Sequence, residues 1–185
     1  TVRGPGSYRA GAFKITSDLT FAVSAGATVR GVASNDVAQF PIVPPLPSYG
    51  TNRDTGTGVN RHQALVMVPH SQRVTLVGGG TIDGAGPYWW AAREAKKLVA
   101  GRPHLVEIYN SSDVEVGGLH LVDSGFWTLH PVYSRGVWLH GLNISAPFGS
   151  PNTDGIDPDS STDVLIEDCT ISCGDDHIAI KSGID

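Results

Sequence analysis

Two cysteines in 185 residues, Cys169 and Cys173, offer little material for covalent bracing. Four positions apart along extended chain, their Cα atoms lie about 13 Å from one another, out of reach of a disulfide unless the backbone bends sharply. No second Cys/His pair is present to complete a tetrahedral zinc set on these thiols, so both are expected to be small buried residues in the interior. Long apolar runs are also missing. Nothing approaches the roughly 18 residues of a membrane-spanning helix, and no membrane partner is expected. Positive charge is scarce, with 13 Lys and Arg against 18 Asp and Glu and a formal net charge of −5. That balance argues against nucleic acid as a partner. It also opposes long-range attraction of an acidic polymer, so binding one would require local cations. The first residues contain no initiator Met, no basic segment and no apolar segment, so no secretory signal is visible. A mature exported protein would begin the same way. Tight Asn-Gly hairpin turns are absent, which counts against an antiparallel sandwich.

What the chain has instead is turns and short strands. Its 23 Gly and 12 Pro punctuate brief alternating runs. The segments beginning at Val74, Val114, Val137 and Val164 share one template: alternating apolar residues, a small or acidic corner, then a second short strand. The last three begin 23 and 27 residues apart, within the range of solenoid repeats. The longer interval from Val74 to Val114 predicts an inserted helix near 87–100, with Pro87 in the first turn and Gly101 and Pro103 ending it. Strands stacked on like strands with one helix in the whole chain predict an all-β parallel β-helix, whereas a doubly wound sheet would need a helix between each pair of strands. The length suits one domain, 1–185. Residues 35–62 form a long Pro-bearing excursion in which Tyr49, Arg53 or Arg61 could touch a ligand, or which could be packed on itself.

Chemistry concentrates in residues 150–185. Asn152-Thr153-Asp154 precedes Gly174-Asp175-Asp176 by one strand-and-turn unit, so residues 21 apart would return to one face about 4.8 Å away. Adjacent strand residues face opposite ways, and for Asp175 and Asp176 to share a face the chain must bend, a freedom expected of Gly174. Close like charges raise one pKa, separating a proton donor from its charged neighbours. Glycoside hydrolysis needs that division, the inverting form with carboxyls about 6.5–9.5 Å apart. Asp154 alone would be as well explained by an Asx turn. Asp157 and Asp159 are read as turn carboxylates bonded to local backbone. His177 and Lys181 share strand parity and could both face a groove. His120, His130 and His140 lack helical ligand spacing, so no metal is expected, and Trp127 and Trp138 are expected to be packing residues.

Asn152–Ser161 (NTDGIDPDSS) followed by Gly174–Gly183 (GDDHIAIKSG) resembles the polygalacturonase family of pectin hydrolases, glycoside hydrolase family 28. The stretches at 15–31, 78–90 and 124–147 read like its successive coils. The resemblance implies a right-handed parallel β-helix and hydrolysis of α-1,4-galacturonosyl links in pectin or polygalacturonate with inversion. It assigns Asp175 as general acid, Asp154 and Asp176 as the base that activates water, and Asn152, His177 and Lys181 to substrate binding, with no cofactor. His177 departs from the Cys found in many relatives, which leaves its role open. The family's later Gly-His-Gly and Arg-x-Lys segments do not occur before Asp185, so the domain is expected to be incomplete at both ends. Its partners would be an acidic polysaccharide and the rest of the β-helix, as a continuation or a second chain. Secretion or a periplasmic location follows from the resemblance. A Ca²⁺-dependent pectate lyase and a noncatalytic carbohydrate-binding β-helix are the competing readings.

Overall fold

The computed structural model describes residues 1–47 and 59–183. Three parallel sheets wrap one core. The first stacks β1 (Gly6–Ala10), β4 (Ala27–Gly31), β9 (Thr81–Asp83), β12 (His120–Val122), β15 (Asn143–Ser145) and β17 (Thr170–Ser172). The second stacks β2 (Phe13–Lys14), β7 (Val66–Pro69), β10 (Val106–Tyr109) and β13 (Leu129–Val132), continued by single bridges at Ile156 and Ile178. The third stacks β3 (Leu19–Ala22), β8 (Gln72–Val77), β11 (Ser112–Gly117), β14 (Arg135–His140) and β16 (Thr162–Glu167). The chain visits the second, third and first sheets in turn, so each circuit is one coil of a right-handed parallel β-helix. The four repeats seen in the sequence fall in register as Val74, Val114, Val137 and Val164, and Leu19 extends the column by one coil.

Period-2 alternation sends one face of every strand inward. Val66, Val106, Leu129 and Ile156 form one buried column, and Ile82, Leu121 and Ile144 another. Corners between the second and third sheets are tied by a ladder of serines that the sequence reading did not anticipate. Ser71 N–H donates to Ser111 Oγ (3.0 Å), Ser111 N–H to Ser134 Oγ (3.1 Å) and Ser134 N–H to Ser161 Oγ (3.0 Å). The residues before them, His70, Asn110, Tyr133 and Ser160, all take left-handed backbone. Each serine after Ser71 thus supplies the acceptor that a sharp corner withholds from the coil before it.

The inserted helix, α1 (Gly86–Glu94), is shorter than expected. Lys96 adopts φ 54°, Lys96 N–H bonds Arg93 O (2.9 Å) and Lys97 N–H bonds Ala92 O (2.9 Å). This is a Schellman closure with lysine where glycine is usual, so no sequence signal marked the stop, and Gly101 and Pro103 lie beyond it. Trp89 is fully buried against Phe40 and His62, fastening the helix to the excursion. There β5 (Ile42–Val43) pairs antiparallel with β6 (Arg61–His62). Tyr49 and Arg53 lie outside the described residues. Arg61 is not a surface contact: it is buried and its guanidinium grips Glu107 at 2.7 and 3.0 Å.

Candidate functional site

The acidic residues stand where turns deliver chain into the second sheet. Ile156 bridges Leu129 below and Ile178 above, so the register between the two acidic turns is 22 residues rather than 21. It sets Asp154 above Trp127 and below Asp176. Thr128 N–H bonds Asp154 O (2.8 Å) and Gly155 N–H bonds Asp176 O (2.9 Å), which pins the three turns. Thr153 is buried and its hydroxyl accepts Gly174 N–H at 3.0 Å. Gly174 is required for close approach rather than for an unusual φ: a Cβ there would lie 2.3 Å from Ser150 O.

One carboxylate oxygen from each of Asp154, Asp175 and Asp176 lies within 4.8 Å of the others. Stacked rungs about 4.8 Å apart, as expected from the sequence, bring these single oxygens closer than the roughly 6.5–9.5 Å carboxyl separation of the inverting form. Asp154 is buried while Asp175 and Asp176 are exposed. Asp176 N–H closes on Asp175 Oδ1 (3.0 Å), and Asn152 Nδ2 faces Asp175 Oδ2 at 3.5 Å.

Lys181 is turned into the cluster. Its ammonium sits 3.3 Å from Asp154 Oδ2, 3.1 Å from Asp157 Oδ1 and 4.3 Å from the centre of the Trp127 ring. His177 is exposed and Lys181 half-buried, so the shared parity does not give the two side chains a shared setting. Asp157 is not a turn carboxylate. It lies fully buried between the single bridges at Ile156 and Asp159, where burial first, and then the charge of Asp154, push its carboxyl up to about 8 against the pull of Lys181. Burial likewise raises Asp154, with Asp175 adding and Lys181 opposing. The upward push expected where carboxylates crowd is thus felt by Asp154 and Asp157.

Asp159 is not a turn residue either. It is buried and meets His130 Nε2 at 3.2 Å. His130 Nδ1 lies 3.2 Å from His104 Nδ1, which lies 2.8 Å from Glu107 Oε2. Burial lowers His104 to about 4, opposed by the Glu107 bond, so the ring is neutral at neutral pH. Nδ1 must then carry the hydrogen, because an ionised carboxylate can only accept. Burial alone would raise Glu107, but Arg61 and His104 reverse this and hold it well below the usual carboxylate range. His104, Glu107 and His130 have the proximity of a metal-ligand set, as do the three acids. Glu107, however, already has both oxygens against Arg61.

His104 also stacks on Trp127, so a buried polar core underlies the acid turn. Sequence reasoning missed His104, Glu107 and the buried Arg102, whose guanidinium reaches Asn152. None belongs to an acidic motif, and only stacking unites them. His140 packs on Trp138 and bonds Glu115 (3.0 Å), while His120 is exposed. Trp127 is buried as expected, whereas Trp138 is 42% exposed and donates to Glu167 (2.7 Å). Cys173 is buried beneath the acid pair, its thiol 3.4 Å from Asp175 O, but Cys169 is only half-buried because little stacks on its coil.

This geometry is found on a chain whose relatives are consistent with it. Residues 17–185 match the family described as Glycosyl hydrolases family 28. A probable polygalacturonase of Vitis vinifera is 44% identical over 181 residues, spanning 97% of this chain and 36% of that protein. An endo-polygalacturonase of Pectobacterium carotovorum subsp. carotovorum is 30% identical over 190 residues, 95% of this chain and 44% of that one. The crystal structure of a hyperthermoactive exopolygalacturonase from Thermotoga maritima superposes with a TM-score of 0.81 at 25% identity, covering 98% of this chain and 46% of that one. The chain thus spans less than half the length of each. A parallel β-helix with clustered carboxylates on its second-sheet turns, matched along nearly its whole length, places this chain in glycosyl hydrolases family 28.

Proposed function

We propose that the protein carrying this chain hydrolyses α-1,4-galacturonosyl links in pectin or polygalacturonate by single displacement with inversion. The observation that carries the reading is the convergence of Asp154, Asp175 and Asp176 from successive coils, with oxygens within 4.8 Å. Asp175, exposed beside the Asn152 amide, is the proton donor to the leaving oxygen. Asp154 and Asp176, stacked one above the other, hold and activate the water between two carboxylates. Lys181 and His177 contribute to substrate binding, Lys181 by lowering the negative potential that an acidic sugar meets at the cluster, while Asn152, which the resemblance also gave to substrate binding, serves instead as the amide partner of Asp175. The protein is secreted or periplasmic. More β-helix, as continuous chain or a second chain, covers the apolar edge formed by Val164, Ile166, Ile178 and Ile180, the last two 49% and 88% exposed.

The test is release of reducing ends from polygalacturonate by the full-length protein, with and without chelator. Reducing ends that persist in chelator, with the β-anomer formed first by NMR, support the reading. Unsaturated products lost with chelator would instead assign the acids to Ca²⁺ in a lyase. Binding without cleavage would make the protein noncatalytic.

A further inference from the structure

We infer that Arg102 is a positioning residue of the acid site, acting through the side-chain amide of Asn152 on Asp175. The inference rests on the proposed hydrolase reading for its catalytic consequence, but its structural basis is independent of it. Arg102 is 6% exposed. Its Nη1 donates to Gly125 O (3.0 Å) and Pro151 O (2.6 Å), carbonyls from two successive turns, and its Nη2 donates to Asn152 Oδ1 (2.7 Å). The guanidinium also lies over the Phe126 ring, 4.8 Å from its centre. With so many contacts the fork has one orientation.

The chemistry then fixes the amide. A guanidinium has donors only and no acceptor. Burial lowers the Arg102 pKa to about 10, which leaves it charged at neutral pH. The Asn152 atom facing it at 2.7 Å must therefore be oxygen, and the NH₂ end must point the other way, toward Asp175 Oδ2 at 3.5 Å. Without Arg102 the amide could turn over and present its oxygen to Asp175. With it, Asp175 faces a donor that strengthens as the carboxyl gives up its proton and gains charge, the moment at which a donor aids the transition state. Arg102 itself touches no reacting atom. Asn152 adopts left-handed backbone, φ 55°, so its side chain leaves from a turn rather than a strand, and Arg102 holds its oxygen there.

The experiment is a double-mutant cycle in the full-length protein on polygalacturonate, with Tm measured throughout. Arg102→Lys keeps the charge and loses the fork. Both Arg102→Lys and Asn152→Ala should lower kcat about 10-fold to 100-fold with KM within about twofold, and the double variant should be no slower than Asn152→Ala. Additive losses, or a rise in KM alone, overturn the inference. Should Arg102→Lys fail to fold, Asn152→Asp decides. A carboxylate pairs with Arg102 at least as well, so Tm is kept, but it cannot donate to Asp175, so kcat falls; unchanged kcat overturns the inference. A readout free of activity separates this inference from the hydrolase reading. The Asn152 side-chain amide NMR signals should shift on Asp175→Ala in an otherwise wild-type protein and not in Arg102→Lys. An inactive wild type defeats the hydrolase reading, while the amide signals still decide the role of Arg102.

Discussion

Asp175 and Asp157 show how differently two carboxylates of one site are held. Asp175 is exposed, and its carboxylate meets the Asn152 amide and the backbone N–H of Asp176. Asp175→Asn should therefore leave the fold intact and cut turnover by about 10²-fold to 10⁴-fold, the range for loss of a general acid. Reducing-end release and Tm on the same preparation check both halves. Asp157 is buried and pushed up to about 8. Its folded form thus keeps a proton that the unfolded chain gives up between about pH 4 and pH 8, so this group's contribution to stability falls as pH rises through that window. Asparagine does not titrate. The stability of Asp157→Asn relative to wild type should rise from pH 4 to pH 8, by an amount on the order of a few kcal/mol, as read from urea midpoints. A difference that is flat with pH would show that Asp157 is ionised in the fold.

At the scale of elements, the helix and the buried polar core carry the testable consequences. Trp89 anchors α1 to Phe40 and His62. Trp89→Ala should cost about 3–5 kcal/mol and loosen the excursion around Arg61, measurable as lost amide protection at His62. Lys96 holds a left-handed position at the helix end that glycine adopts without strain, so Lys96→Gly should stabilise by about 1 kcal/mol in thermal unfolding. His104 and Glu107 both lose protons more readily in the fold than in the open chain. Their contributions are full above the unfolded pKa values and fade as pH falls, His104 between about pH 6.5 and pH 4 and Glu107 at lower pH. Acid unfolding of Glu107→Gln should accordingly be displaced from that of wild type, with Arg61 left unpaired and stability reduced even at neutral pH.

For the whole molecule, the decisive feature is its open stack. Val164, Ile166, Ile178 and Ile180 leave apolar surface on one end of the solenoid, beside backbone groups that await another strand. The 185-residue chain prepared alone should bind a hydrophobic dye or self-associate in sedimentation, and the full-length protein should do neither. A dye-silent monomer of the short chain would remove the case for further β-helix at that edge.

The repeat of Val74, Val114, Val137 and Val164 was legible in the sequence because strand alternation and coil length are local properties, and the acidic motifs were legible because they are dense and short. What the acids do to one another was not. The 22-residue register, the burial of Asp157 under Lys181, the pairing of Arg61 with Glu107 and the Arg102 clamp on Asn152 all join residues separated by 22 to 50 positions and brought together across different coils. The sequence by itself determined a stacked spiral bearing three carboxylates; only the tertiary structure decided which of them are desolvated and which cations face them, because pKa and orientation depend on neighbours that come from other rungs and not from the chain on either side.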